Sequence, residues 1–176
     1  SIARYTAEDD CAGLAEKDRL ARDYPQLALY FPWQLSVEQA IELAKECEQA
    51  GFAADPKITN SEGATVSTSE SQFIYANSLD FMGGYPVSRH SVSCALIAEH
   101  NESKQRDYWY SVARDAVDLE SAQEIGRKTG LRSAARLGAR KIATCEVPVI
   151  FEAPIASSLI GHFASAISGG SLYRKS

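Results

Sequence analysis

Tyr85-Pro-Val-Ser-Arg-His-Ser-Val-Ser-Cys-Ala-Leu-Ile-Ala-Glu99 is the stretch on which the fold turns. His90, Val92, Cys94, Leu96 and Ala98 fall on every second residue, with mostly polar or small residues between them. Side chains of a strand alternate between its two faces, so this period predicts a strand with one face in a core. Glu99–Gln105 is a polar turn, and Arg106–Asp115 (RDYWYSVARD) reads as the next strand. Upstream, Gly63–Ser69 (GATVSTS) and Gln72–Ser78 (QFIYANS) are two short β-rich runs. Gly83-Gly84 marks a further turn. Four strands on short connections predict an antiparallel meander.

Helices flank it. In Phe31–Pro56, Ser36 and Gln39 have the spacing of a capping box, in which hydroxyl and amide satisfy free backbone N–H groups reciprocally. Ile41, Ala44 and Glu48 form one stripe, and Leu43, Cys47 and Ala50 an adjoining one. Gly51 is the expected stop, followed by Pro56. After Asp118, a candidate N-cap, residues 119–141 are helical with glycines at 126 and 130. Each costs about 1 kcal/mol in a helix interior, which predicts two helical pieces, or one helix packed closely at its glycines. Cys145–Glu152 (CEVPVIFE) reads as a short strand kept to an edge by Pro148. Pro154 then opens a helix that ends at Gly169 or Gly170. Its apolar face carries Ala156, Leu159, Ile160, Phe163 and Ile167.

The fold class is therefore α+β: an antiparallel β-meander packed with helices, followed by the start of a second domain. We expect a connecting segment with one short helix over 1–30, a central α+β domain over 31–143, and the start of a C-terminal domain over 144–176. The serine at position 1, and a close at Arg174-Lys175-Ser176 soon after a Gly-Gly pair, lead us to expect a piece of a longer chain.

Composition narrows the function classes. A net charge of −5 opposes a nucleic-acid surface, which needs clustered cations. The one basic cluster, Arg127, Lys128, Arg132, Arg136, Arg140 and Lys141, reads as the solvated face of a helix. Cys11, Cys47, Cys94 and Cys145 contain no C-x-x-C pair, so zinc-ribbon and redox motifs are absent. They read as free, mostly buried thiols in a reducing compartment. No stretch approaches twenty apolar residues and no signal peptide is evident, so we expect a cytoplasmic protein.

The histidines number three. His90 and Cys94 share a strand face, but four residues along a strand span roughly 13 Å, too far for one metal with ligands at about 2 Å. His90 reads as a packed core or interface residue and His100 as a solvated turn residue. His162 lies beside the apolar stripe of the last helix. A zinc-protease helix supplies two histidines to the metal and a glutamate that takes a proton from bound water. Here the glutamate and the second histidine are missing. No nucleophile elbow, P-loop or dinucleotide fingerprint is present. Glu8, Asp9 and Asp10 read as solvated.

Residues 153–176 (APIASSLIGHFASAISGGSLYRKS), 59–78 (TNSEGATVSTSESQFIYANS) and 88–99 (SRHSVSCALIAE), with the Arg4-Tyr5-Thr6…Cys11-Ala12-Gly13 opening, resemble the TldD/PmbA family of zinc metalloproteases. The resemblance runs from about Tyr5 to Ser176 and makes the chain a central fragment. It implies a cytoplasmic peptidase of two related subunits, a heterodimer, linked to peptide maturation, degradation of unfolded peptides and modulation of DNA gyrase. The TldD subunit carries an H-E-x-x-x-H helix, completed by a later cysteine, that binds zinc. The first histidine of that motif falls on His162, the glutamate on Phe163 and the last histidine on Ile167.

By that resemblance the chain is the partner of a TldD-like subunit. It has no catalytic or metal-binding residues of its own, and the cofactor zinc is in the partner. Extended or unfolded peptide is the expected substrate, with no membrane or direct nucleic-acid partner. Tyr75, Tyr85, Tyr108, Trp109 and Tyr110 are candidates for a peptide-holding surface, since antiparallel edges add a peptide strand with little sequence preference. A metallopeptidase in its own right and a regulatory binding module remain the alternatives.

Overall fold

A computed structural model of the chain describes residues 2–7, 13–21 and 23–175. Glu8, Asp9, Asp10 and Cys11 lie outside the described residues. The chain divides into two compact units, Ser1–Ala139 and Arg140–Ser176.

The first unit holds helix α1 (Val37–Ala54), strands β1 (Ile58–Ala76), β2 (Met82–His100) and β3 (Ser103–Ala113), and helix α2 (Ala122–Ala135). The sheet is antiparallel in the order β1-β2-β3. Cys47, Ile58, Val92, Cys94, Leu96, Ala98, Ala122 and Ile125 form the core. The alternating face of β2 is therefore the one that α1 and α2 cover. The fold is α+β, as the periodicity predicts.

Three strands replace the expected four. Ser69-Glu70-Ser71 does not interrupt β1, because Glu70 pairs with Ser88 and Ser71 with Val87 in one continuous ladder. The turn expected at Gly83-Gly84 lies instead at 77–81, where the Asn77 carboxamide oxygen accepts from Leu79 N–H at 2.9 Å and Asp80 takes a positive φ. Gly84 sits inside β2, since a β-carbon there would overlap the Phe73 carbonyl. The β2–β3 turn is Asn101-Glu102, both at positive φ, as a two-residue hairpin of matching twist requires.

The Ser36–Gln39 capping box closes in both directions. Gly51 does not stop α1, which runs on to Ala54 with Gly51 buried. That glycine faces α2: a β-carbon on Gly126 would overlap the Cys47 carbonyl, and one on Gly130 the Gly51 carbonyl. So α2 is one helix packed closely at its glycines. Its N-cap is Ser121, accepting from Glu124 N–H, rather than Asp118, which closes a preceding 3-10 turn.

β3 pairs with β2 only as far as His90↔Ala113. Beyond that point 69–76 and 82–89 continue as a two-stranded arm, roughly 26 Å long at about 3.3 Å per residue.

The second unit holds α3 (Ala153–Ala166) and α4 (Gly169–Arg174). Residues 145–152 form no strand, since no neighbouring backbone pairs with them. α3 ends at Ala166, and the Gly169-Gly170 pair begins α4 instead of ending α3.

Candidate functional site

The helix that carries the zinc-protease positions is α3. Pro154 lies in its first turn, and the Ser157 and Ser158 hydroxyls donate back to the Pro154 and Ile155 carbonyls at 2.8 and 2.6 Å. His162 is exposed, Phe163 is 63% exposed and Ile167 51%. Ile167 is the C-cap, and its N–H donates to the Phe163 carbonyl at 3.1 Å. The backbone is regular α-helix here, with no bulge to bring positions 162 and 167 to one face. The stripe Leu159, Ile160, Phe163 and Ile167 is exposed throughout, and no residue of α3 is buried.

Of the three motif positions only His162 offers a lone pair. Phe163 and Ile167 cannot ligate a cation, and no carboxylate stands at 163 to accept a proton from water. Among the described residues no three His, Cys, Asp or Glu side chains converge as a metal site would need. The residues present at these positions do not fit a zinc ion.

The other two histidines are accounted for. His90 is fully buried. Its Nε2–H donates to the Phe31 carbonyl at 2.8 Å, its Nδ1 accepts from the Thr68 hydroxyl at 2.8 Å, and Trp33 meets the ring edge-on. It pins residues 29–33 to the sheet. His100 lies at the end of β2, exposed.

Cys47 and Cys94 are buried free thiols, while Cys145 is exposed. Contact with Cys47, and then burial, pushes the Cys94 thiol well above its ordinary range, so it holds its proton at neutral pH. The same contact lowers the Cys47 thiol, but Cys47 is fully buried, so neither sulfur is open to a substrate.

Strand alternation sorts the aromatic candidates. Tyr75, Tyr85, Tyr108 and Tyr110 fall on the face that the helices leave bare, and each is exposed. Tyr85 packs on Phe73 across the arm with ring centroids 5.3 Å apart, and Tyr108 stacks with Tyr110 at 6.2 Å. Trp109 does not join them. Its position opposite Cys94 turns it under the helices, where Lys128 and Arg132 lie 5.4 and 4.9 Å from its ring and its indole N–H donates to Glu120.

The basic cluster is divided and largely neutralised. Arg127 pairs with Glu124 at 2.7 Å, Lys128 with Glu120 at 2.6 Å, and Arg132 and Arg136 each with Asp107 at 3.5 Å. Hydrogen bonding from Arg127 holds the Glu124 carboxyl below its usual range. Arg140 and Lys141 belong to the second unit.

One feature escaped the sequence reading. Residues 23–27 run past the arm and leave a groove of about 530 Å³, lined by Tyr24, Leu27, Phe73, Tyr75, Phe81 and Tyr85 among others. The cue in the sequence is Leu27 and Leu29, at period two within the expected 1–30 connecting segment and continued by Phe31.

Residues 30–137 match the central domain of the PmbA/TldA metallopeptidases. The chain belongs to the PmbA/TldA metallopeptidase family. It is similar to Metalloprotease PmbA of Escherichia coli O157:H7, with 44% identity over 175 residues, 99% of this chain and 39% of that protein. The Metalloprotease PmbA homolog of Haemophilus influenzae is 43% identical over 176 residues, all of this chain and 39% of that protein. A Bacteroides thetaiotaomicron protein, whose crystal structure was described as that of a candidate modulator of DNA gyrase, superposes with a TM-score of 0.87 at 26% identity. The match covers 98% of this chain and 40% of that one. The chain thus spans about two fifths of the length of these PmbA/TldA relatives, and the match to the central domain places β1–β3, α1 and α2 in a region common to the family. No helix among the described residues is long and apolar enough to cross a membrane.

Proposed function

We propose that this chain is the central part of the non-zinc-binding subunit, the TldE type, of a cytoplasmic two-subunit metallopeptidase. It pairs with a TldD-like subunit that holds the zinc, and together they trim or degrade extended and unfolded peptides, including peptides undergoing maturation. Residues 31–143 act as the central domain and 144–176 begin the metalloprotease-like domain. The observation that carries the reading is the pair Phe163 and Ile167, which occupy the base and second-ligand positions of the zinc helix with side chains that can neither ligate nor accept a proton. The subunit contributes surface rather than chemistry: a sheet with one bare, tyrosine-bearing face and free strand edges. Direct binding to nucleic acid is not expected of a chain with net charge −5 whose basic helix is ion-paired.

Two measurements on the full-length protein test this. Purified alone, it should carry no stoichiometric zinc. Co-expressed with its TldD-like partner, it should be required for peptidase activity, and that activity should survive His162→Ala. Stoichiometric zinc that disappears on His162→Ala would instead make this chain a metallopeptidase in its own right. A pull-down that recovers gyrase but never a TldD-like subunit would favour the regulatory role suggested by the description of the Bacteroides relative.

A further inference from the structure

The arm of the first unit has an edge left half used. β3 stops pairing at His90, and just beyond it the outer edge of β2 meets residues 29–31. Ser88 N–H donates to the Leu29 carbonyl at 2.9 Å, and the Ser88 hydroxyl accepts from Phe31 N–H at 2.8 Å and donates to the Arg114 carbonyl at 2.8 Å. Ser88 is thus the point at which the edge passes from β3 to the 29–31 segment. Its N–H points away from β1. In an antiparallel ladder such outward groups recur every second residue, so the backbone groups of Met82 and Gly84 and the Pro86 carbonyl also face outward. Pro86 sits where its missing N–H costs no ladder bond, as an edge position allows.

Upstream of Leu29 the segment does not keep to that edge. Ala28 has φ of +46°, a left-handed conformation uncommon for alanine, and the chain departs there. Among the described residues no backbone bond from residues 23–27 reaches Gly84 or Met82. What lies between is the groove of about 530 Å³. Its walls are rings and aliphatic side chains, and at Gly83 and Gly84 its floor is bare backbone.

We propose that an extended peptide, apolar at alternate residues, adds to this stretch of β2 as a strand, between residues 23–27 and Gly83–Pro86. The inference rests on reading the chain as a subunit that holds peptide substrate, and it gives that role an address. The pattern suits an extended backbone. Donors and acceptors recur in line at two-residue spacing, the 29–31 segment of the same chain already uses the neighbouring position, and the absence of a β-carbon at Gly83, which would stand against Phe81 and Tyr24 of the groove, leaves room there for a second chain. Phe73, Tyr75 and Tyr85 would take every second side chain, favouring apolar residues there and reading little else. None of the described residues that line the groove is a cation, so they supply nothing to hold a nucleotide or other polyanion.

The test uses the full-length protein and a fluorescein-labelled decapeptide alternating Val or Phe with Ser or Lys, followed by anisotropy. Two further peptides carry N-methyl groups on opposite alternate sets of amides. An added strand turns only one set towards β2, so one methylated peptide should bind at least about tenfold more weakly and the other should match the parent. Phe73→Ser combined with Tyr85→Ser, two exposed positions, should weaken the parent peptide by about tenfold. Equal binding by all three peptides, equal loss with both methylated ones, or unchanged binding to the double variant overturns the proposal. The assay does not involve the partner's zinc. Failure here, with peptidase activity that still requires this chain, removes the groove and leaves the subunit reading standing. Binding as described, with activity that never requires this chain, removes the subunit reading instead.

Discussion

At the scale of single residues, His90 and His162 show what one sequence can and cannot disclose. The parity of His90 within an alternating strand is enough to bury it, and metal chemistry is excluded by the reach of a strand. Its partners are another matter. Thr68 lies 22 residues away and Phe31 lies 59 away, and no local pattern joins them. Because the Phe31 carbonyl can only accept, Nε2 carries the proton and Nδ1 takes the Thr68 hydroxyl. His90→Ala should therefore strand a buried carbonyl and a hydroxyl as well as open a cavity, lowering stability by about 2–4 kcal/mol. Thr68→Val, which removes one bond and keeps the volume, should cost about 1 kcal/mol. Urea midpoints for the two variants check the ranking, and equal costs would contradict it. His162 is the converse case. Its meaning comes from Phe163 and Ile167 beside it, which are read directly from the sequence, while its exposure on α3 adds nothing that would restore a ligand set.

Elements were legible where the determining forces are local. The capping box of α1 closes because serine and glutamine stand three apart, and the β2–β3 turn forms because polar residues there tolerate positive φ. Glycines misled where their role is tertiary. Gly51 looks like a helix stop, yet it lies inside α1, because a β-carbon there would overlap the Leu96 side chain of β2 while its carbonyl sits against Gly130 of α2. Gly84 looks like a turn, yet it lies within β2 for the same kind of reason. Gly126→Ala separates the two influences. Alanine would gain about 1 kcal/mol of helix propensity, but its β-carbon would overlap the Cys47 carbonyl, which belongs to a helix and cannot swing aside. Overpacking should win, with a net loss of about 2 kcal/mol or more. A denaturation midpoint at or above wild type would show that α1 and α2 can move apart freely.

For the whole molecule, the layered arrangement followed from period: two in the sheet, near four in the helices that cover one face. Extent followed less well. The apolar run 145–152 has strand composition but no partner strand, and composition alone cannot supply one; the stripe of α3 is apolar but exposed for the same reason. The two units differ accordingly in what protects them. The first has a core built from two helices and three strands. Residues 138–152 are exposed throughout and carry no regular structure, and Arg140 and Lys141 lie among them. Cleavage tracks the population of locally open chain, so this stretch should be cut long before the covered face of α2 or β2. In the 176-residue chain, brief trypsin digestion should give first cuts, between residues 30 and 170, at Arg140 and Lys141. The product reaching Arg140 should keep its helical and strand circular dichroism while the remainder is degraded. Mass spectrometry of the early fragments decides it: first cuts at Arg127 or Lys128, inside α2, would mean that the core around Ile125 and Leu96 opens as readily as the linker, and the division into two independent units would fail.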